Sequence, residues 1–214
     1  MRIVCISDTH SRHQKMPPIP EGDVLIHAGD CTGAGHIFEV KDFAKWFRSH
    51  PHKRKIAIAG NHDYCFQKKH PVSTWAREAF AGEGIIYLED EEVIIDGVRF
   101  YGSPWTPVFR NMAFNAGEEE RFRIRAQIPE DTDVLITHGP AWRIFDYVPD
   151  DREHVGCFPL AQRIDQLKLK AHICGHIHES YGYAIRESDG LKFVNACTCD
   201  RSYRPVNPPI IIDI

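Results

Sequence analysis

The sequence has no long apolar segment. Its longest apolar runs, such as residues 56–59 and 210–212, are far shorter than the roughly 20 residues that a membrane-spanning helix needs. The apolar run within residues 1–8 is also too short for a secretory signal peptide. We therefore expect no membrane partner and a cytoplasmic location.

An excess of positive charge is also absent. The 26 Lys and Arg residues are outnumbered by 30 Asp and Glu residues, which gives a net charge of −4. Proteins that bind long nucleic acids need a basic surface, so a long nucleic acid is not the expected partner. Two short basic runs, at residues 53–55 and 68–70, are interpreted as solvated surface, with substrate steering as the alternative.

The seven cysteines contain no Cys-x-x-Cys pair, so a structural zinc ribbon is not expected. Their odd number, without a signal peptide, predicts free thiols in a reducing compartment. Cys5 and Cys174 lie within apolar runs and are interpreted as core residues. Cys197 and Cys199 are also interpreted as free thiols, and the alternative is that they form a redox-active pair.

Length and composition fit one globular domain, residues 1–214, that is 43% hydrophobic and 26% charged. Short runs rich in Val and Ile predict buried strands at residues 2–7, 24–28, 55–59, 134–137, 171–174 and 210–213. Apolar residues at helical spacing predict helices at residues 38–50, 72–80, 118–127 and 157–167. Turn signals predict hairpins at residues 93–101 and 181–195. This alternation of strands and helices indicates the α/β class.

Five of the predicted strands end in side chains that bind metals. In open α/β sheets, ligands collect at the carboxyl ends of strands. Those ends carry seven oxygen and nitrogen donors: Asp8, His10, Asp30, Asn61, His138, His176 and His178. Such donors suit Mn²⁺, Fe or Zn²⁺. Seven ligands are too many for one catalytic zinc ion and are enough for two metal ions if one carboxylate bridges them.

Each motif alone also has a structural interpretation. Asp8-x-His10 is often a turn or a helix cap, and a single residue such as His138 is often a core histidine. The shared position of all the motifs, directly after an apolar run, is what indicates a metal site.

The motifs resemble the signature of the calcineurin-like metallophosphoesterases. The matching residues are Asp8-x-His10, Gly29-Asp30, Gly60-Asn61-His62-Asp63, His138 and Gly175-His176-x-His178. Residues 5–12, 101–107 and 207–211 are also similar to the metallophosphoesterase-domain-containing proteins of animal brain and their microbial relatives. The resemblance implies a four-layer α-β-β-α sandwich with two mixed sheets.

The resemblance also implies a role for each matching residue. The implied cofactors are two divalent metal ions, expected to be Mn²⁺, with Fe, Zn²⁺ or Mg²⁺ as alternatives. The first ion would be held by Asp8, His10, Asp30 and His178. The second would be held by Asp30, Asn61, His138 and His176, so that Asp30 bridges the two. His62 would face the substrate without binding a metal.

The function implied is hydrolysis of phosphodiester bonds in small, nucleotide-like substrates. A hydroxide bridging the metals would attack phosphorus in line, with Asp30 and His62 as the catalytic residues. His62 would donate a proton to the leaving oxygen, and Asp63 is a candidate for orienting it. The alternatives are a phosphomonoesterase or nucleotidase with the same site, a nuclease, and a non-catalytic scaffold that reuses the fold.

An arginine and the aromatic residues of one loop are candidates for substrate contact. Arg12, beside the first motif, is a candidate for binding phosphate, with an exposed surface arginine as the alternative. The long loop at residues 102–117 carries Trp105, Phe109 and Phe114, whose rings are candidates for stacking on a base. The alternative is that these rings pack the loop onto the core.

Overall fold

Strands and helices alternate along the chain of the computed structural model, which describes residues 1–214. The α-helices are α1 (Ile37–Arg48), α2 (Ser73–Gly82), α3 (Glu118–Ala126) and α4 (Phe158–Gln166). The strands are β1 (Arg2–Ile6), β2 (Val24–Ala28), β3 (Arg54–Ile58), β4 (Ile86–Tyr87), β5 (Glu91–Ile95), β6 (Val98–Ser103), β7 (Thr106–Pro107), β8 (Asn115–Ala116), β9 (Val134–Thr137), β10 (Tyr147–Val148), β11 (Glu153–His154), β12 (Ala171–Cys174), β13 (Gly182–Ile185), β14 (Lys192–Asn195) and β15 (Ile210–Asp213).

Two mixed sheets contain most of these strands. The first sheet has the order β15-β1-β2-β3-β4, in which only β15 runs antiparallel to its neighbour. The second has the order β13-β14-β12-β9-β6-β5, with a parallel centre and an antiparallel strand at each edge. The predicted α/β class with two mixed sheets is confirmed.

Apolar side chains pack on both faces of both sheets. One buried cluster joins the two sheets, with Ile26 of β2 and Ile136 of β9 among its members. A second cluster packs the other face of the first sheet against α1 and α2, through residues such as Phe43. A third packs the other face of the second sheet against α4, through residues such as Leu160. Side chains alternate between faces along each strand, so each strand contributes to two clusters.

The predicted helices and long strands agree with the structure to within two residues at each end. Both predicted hairpins are present, as β5–β6 and β13–β14. The thiols of Cys5 and Cys174 are buried in the core, as predicted. None of the helices combines the length and the apolar composition that crossing a membrane requires.

The two sheets meet where β1 ends. Ser7 donates its backbone N–H to the carbonyl of Ala196, and Thr198 donates its own N–H to the carbonyl of Ser7. The resulting bridge between Ser7 and Cys197 joins the first sheet to the segment after β14 of the second. The carboxyl ends of the parallel strands of both sheets therefore lie at one junction.

Candidate metal centre

The predicted ligand residues all follow parallel strands, and all lie in loops except His178, which begins a short 3-10 helix. The first sheet supplies Asp8 and His10 after β1, Asp30 after β2, and Asn61 after β3. The second sheet supplies His138 after β9 and His176 and His178 after β12. The junction of the sheets brings these seven residues together from both halves of the chain.

Glycines allow the loops to approach each other closely. A Cβ atom at Gly60 would lie 2.3 Å from Oδ1 of Asp30 and 2.6 Å from the ring of His138. A Cβ atom at Gly175 would lie 2.1 Å from Oδ2 of Asp8. Any larger residue at either position would push a ligand side chain out of place, which explains the glycine in the two motifs.

Four of the candidate ligand residues have a strained backbone. Asp8, His10, Asp30 and His176 all have positive φ angles, between 42° and 72°. This left-handed region is unfavourable for residues other than glycine, and strained residues of this kind cluster at functional sites. The loops are thus shaped to direct these four side chains inward.

The first group of ligand atoms surrounds Asp8. Oδ1 of Asp8 lies 3.5 Å from Nε2 of His178 and 3.9 Å from Nε2 of His10. These two imidazole nitrogens are 3.2 Å apart. His178 donates its Nδ1–H to the carbonyl of Asp200, which fixes the ring and leaves Nε2 facing Asp8.

The second group surrounds Asp30. Oδ2 of Asp30 lies 3.4 Å from Nε2 of His138 and 3.8 Å from Nε2 of His10. Asn61 places its Oδ1 2.8 Å from the same His138 nitrogen. His138 donates Nδ1–H to the carbonyl of Ala28, so that its Nε2 faces the site. The ring of His176 lies 5.0 Å from that of His138, centroid to centroid.

The buried carboxylates and imidazoles stabilise each other's charges. Burial alone would raise the pKa values of Asp8 and Asp30, but His178 and His138 hold both well below the usual range. Burial alone would also lower the pKa values of His138 and His178, and the two carboxylates instead raise each to about 9. At pH 7 two ionised carboxylates therefore face two protonated imidazoles, and a divalent cation would bind here by displacing the imidazole protons.

The donor set fits divalent metal ions. Oδ1 of Asp8 is buried and accepts no hydrogen bond, although polar atoms in this position normally have a partner. Candidate ligand atoms of Asp8, Asp30 and His138 all lie within 4.8 Å of one another. Burial lowers the pKa values of His10 and His176 to about 4, so both are neutral at pH 7 with a lone pair available. A cation would satisfy the unpaired oxygen and the facing imidazole nitrogens together.

His62 lines the cavity beside this centre. Its Nδ1 donates to the carbonyl of Gly33 over 2.8 Å, which leaves Nε2 as the free nitrogen of the ring. Its ring centroid is 4.6 Å from that of His10. Candidate ligand atoms of His62, His10 and Asp30 also lie within 4.8 Å of one another, so geometry alone permits His62 as a ligand.

Asp63 does not orient the His62 ring, contrary to the interpretation from sequence. Its carboxylate is fully buried and accepts backbone N–H groups from Asp30, Thr32 and Gly60. Asp63 therefore holds the loop after β2 against the loop after β3. Because Asp30 lies in the first of these loops, Asp63 positions the central carboxylate through the backbone.

A cavity of about 370 Å³ opens next to the ligand residues. Asp30, Asn61, His62, His176 and His178 form its polar side. Its apolar side is formed by Pro107, Val108, Phe109, Val148, Val155 and Ile177. The cavity thus combines the polar candidate ligands with an apolar wall.

The structure does not bring the two candidate substrate residues, Arg12 and Trp105, to this cavity. Arg12 is exposed, and its side chain makes no hydrogen bond or ion pair. Trp105 donates Nε1–H to Asp90 over 2.7 Å and packs edge-on against the buried ring of Phe114. Of the aromatic residues in this loop, only Phe109 lines the cavity.

Sequence reasoning missed two residues at the centre. The thiol of Cys197 lies 3.2 Å from Oδ2 of Asp8, and Cys197 forms a further candidate ligand group with Asp8 and His178. The ring of Tyr203 lies 4.8 Å from that of His10 and lines the cavity. Cys197 and Tyr203 both lie after β14. The only signal in the sequence of this segment is the Cys197-x-Cys199 pair, whose alternative interpretation is redox chemistry and not metal binding.

Comparisons with known proteins find similar chains and a similar fold. The profile of the family described as Calcineurin-like phosphoesterase matches residues 1–180. Metallophosphoesterase domain-containing protein 1 of Homo sapiens is 40% identical over 100% of this chain and 71% of its own length. A UPF0046 protein of Caenorhabditis elegans is 36% identical over 100% of this chain and 81% of its own length. The crystal structure of TT1561 of Thermus thermophilus has a TM-score of 0.65 at 10% identity, covering 91% of this chain and 88% of that one, and shares the fold.

Proposed function

The chain belongs to the calcineurin-like phosphoesterase family, a family of metal-dependent phosphoester hydrolases, and from this premise we propose that it is a phosphodiesterase with two metal ions in one site. The proposed ligands of the first ion are Asp8, His10, Asp30 and His178. Those of the second are Asp30, Asn61, His138 and His176. Mn²⁺ is the proposed metal, as one of the ions that a set of oxygen and nitrogen donors suits.

The position of Asp30 carries this proposal. One oxygen of its carboxylate, Oδ2, faces His138 at 3.4 Å and His10 at 3.8 Å. These two histidines belong to different proposed ligand sets and come from different sheets. A single buried oxygen that faces both sets is what a bridging ligand requires. The other oxygen, Oδ1, accepts the backbone N–H of His62 and fixes the orientation of the carboxylate.

His62 is the proposed general acid. Two metal ions, when bound, would activate water and neutralise charge on the phosphoryl oxygens. His62 already donates its Nδ1–H to Gly33, so only the doubly protonated ring also presents an N–H at Nε2 to the cavity. The imidazolium form would thus donate this proton to the leaving oxygen. Gly33 keeps the ring in position for that transfer.

The charges that line the cavity support a diester as the substrate. A phosphomonoester carries close to two negative charges at pH 7, whereas a diester carries one. Arg201 is the only Lys or Arg residue that lines the cavity, and it is already paired with Asp150 and Glu179. Asp151 and Glu179 add negative charge to the lining. Apart from its histidines, this lining therefore offers no spare cation for the second charge of a monoester.

The apolar wall supports a small substrate with a flat organic group. Phe109 lines the cavity with 49% of its surface exposed, and its ring lies 6.3 Å from that of His176. Contact between an exposed aromatic ring and a nucleobase stabilises binding by about 1–3 kcal/mol. We therefore propose nucleotide-like diesters as the substrate class.

The test of the proposed function compares two chromogenic substrates. The protein is stripped of metal with a chelator, Mn²⁺ is added back, and hydrolysis of bis(p-nitrophenyl) phosphate is compared with that of p-nitrophenyl phosphate. The proposal predicts turnover that depends on Mn²⁺ and favours the diester. Turnover of the monoester alone would contradict the diester assignment, and no metal uptake would contradict the site.

Replacing His62 tests whether this residue acts as a general acid and not as a metal ligand. We expect His62→Ala to retain both Mn²⁺ ions and to slow diester hydrolysis by about 10²–10⁴-fold, the usual contribution of a general acid. Metal content by mass spectrometry and initial rates measure the two effects. His70→Ala is the control, because this histidine is also half-buried but lies outside the cavity. A His62→Ala protein with full activity, or one without metal, would show that the assigned role is wrong.

A further inference from the structure

Tyr203 is held in an unfavourable backbone conformation beside the metal centre. Its φ angle is +58°, in the left-handed region that a large side chain rarely adopts. Its side chain is 41% exposed, so burial in the core does not compensate for this strain. Strained residues of this kind cluster at functional sites, so Tyr203 is a candidate for a functional role.

The turn that carries Tyr203 is fixed by Asp200. The Asp200 carboxylate accepts the backbone N–H groups of Ser202 and Arg204, each over 2.9 Å. It also accepts the side-chain Nε–H of Arg204 over 2.7 Å. The Asp200 carbonyl accepts Nδ1–H of His178 over 3.0 Å and the backbone N–H of Tyr203 over 2.8 Å. One residue thus orients a proposed metal ligand and presents Tyr203.

The Tyr203 ring faces the histidines of the centre. Its centroid lies 4.8 Å from that of His10, 5.3 Å from that of His178 and 6.3 Å from that of His62. All three ring pairs are close to perpendicular. The exposed part of Tyr203 lines the same cavity as Phe109. A substrate that places phosphorus at the centre would therefore have its organic group next to this ring.

We propose that Tyr203 is a substrate-contacting residue whose ring packs against the organic group of the ester and makes the site prefer flat aromatic esters over alkyl esters. The inference rests on the proposed function, because it assigns an organic group to the space beside the metal centre. The ring, and not the hydroxyl group, provides the selectivity. Aromatic contacts of this kind contribute about threefold to tenfold in affinity.

The test uses two analogues that cannot be hydrolysed. Dimethylphosphinate and methylphenylphosphinate each carry one negative charge, as a diester does, and differ only in one organic group. Their dissociation constants are measured by calorimetry on the Mn²⁺-loaded protein. The wild type is expected to bind the phenyl compound more tightly. Tyr203→Leu is expected to reduce this preference about threefold to tenfold, and Tyr203→Phe to retain it.

Three further measurements separate this role from a structural one. Mn²⁺ content and melting temperature should be unchanged in Tyr203→Leu, because the turn is held by Asp200. Tyr183→Leu is the matched control, since Tyr183 is 44% exposed and lies outside the cavity. An unchanged preference in Tyr203→Leu, or a change that follows loss of metal, would overturn the inference and leave the proposed function intact. Failure of the wild type to bind either phosphinate would overturn both.

Discussion

At the scale of single residues, the two oxygens of Asp8 have different environments. Oδ2 accepts hydrogen bonds from the Ser7 hydroxyl, the Cys197 thiol and the backbone N–H of His176. Oδ1 accepts none. Three donors on one oxygen fix the rotation of the carboxylate, so that the other oxygen points to the metal centre. Cys197 therefore supports a ligand of the centre, which explains a buried thiol at this position without redox chemistry.

Removing the Cys197 thiol should weaken metal binding. We expect Cys197→Ala to lower the affinity of the protein for Mn²⁺ by about 10–100-fold, the usual effect of losing a hydrogen bond to a ligand. Cys197→Ser should restore most of the affinity, because a hydroxyl group also donates. Calorimetric titration of the metal-free protein measures both. Cys199→Ala is the control, since this buried thiol does not contact Asp8. Equal Mn²⁺ affinity in Cys197→Ala and Cys199→Ala would contradict this role.

His172 is a buried histidine outside the metal centre. Thr137 donates its hydroxyl to the carbonyl of Gly139, so His172 must donate its Nε2–H to the Thr137 oxygen, and its Nδ1 has no partner. Burial, assisted by the positive charge of Arg125, lowers the pKa of His172 to about 3. The ring is therefore neutral in the folded protein throughout the mildly acidic range.

This pKa predicts a loss of stability in acid. The unfolded chain takes up a proton at His172 below about pH 6.5, but the folded chain does so only near pH 3, so unfolding is favoured as the pH falls. The expected contribution is about 1.4 kcal/mol per pH unit between these values. When the pH falls from 6.5 to 4.5, the free energy of unfolding should decrease in both proteins. The decrease should be about 2–3 kcal/mol smaller for His172→Gln than for the wild type. Urea unfolding with chelator present measures this, and equal losses in the two proteins would refute it.

At the scale of the elements, a buried arginine anchors the loop that forms the apolar wall. Arg125 of α3 is 1% exposed and donates to the Ser103 hydroxyl and the Trp105 carbonyl, each over 2.6 Å. Ser103 and the Trp105 indole both donate to the carboxylate of Asp90. These contacts hold the start of the loop that carries Phe109. They also explain why Trp105 is a structural anchor in this structure.

Arg125→Met should therefore be strongly destabilising. The substitution leaves the Ser103 hydroxyl and the Trp105 carbonyl without their buried donor, and losing a hydrogen bond to a charged group costs about 1.5–3 kcal/mol. Urea unfolding measures the change in the free energy of unfolding. Arg123→Met on the same helix is the control, because Arg123 is exposed and its pair with Glu119 contributes about 0.5 kcal/mol or less. Similar unfolding midpoints for the two variants would show that this network does not stabilise the fold.

At the scale of the whole molecule, the sequence predicts the elements and the ligand-bearing loops well. Apolar runs of four or five residues followed by polar motifs give β1, β2, β3, β9 and β12 with small errors at their ends. The positions of Asp8, Asp30 and His138 follow, because the carboxyl ends of parallel strands share one edge. These features depend on local patterns, which a single sequence contains.

The remaining features depend on contacts between distant segments. The Cys197 thiol reaches Asp8 across 189 residues of sequence, and Tyr203 reaches the centre through a turn that only the Asp200 network defines. Trp105 and Phe109 are both aromatic residues of one loop, and only the tertiary structure distinguishes the anchor, Trp105, from the cavity residue, Phe109. Such contacts leave no periodic signal in the chain.

The central claim is that the strand ends of two sheets form one site for two metal ions, bridged by Asp30. The most direct measurement is anomalous diffraction at the manganese absorption edge from crystals grown with Mn²⁺. We expect two peaks about 3.5–4 Å apart, with Asp30 contacting both, Asp8 and His178 on one side, and His138 on the other. A single peak, or two peaks that do not share Asp30, would contradict it.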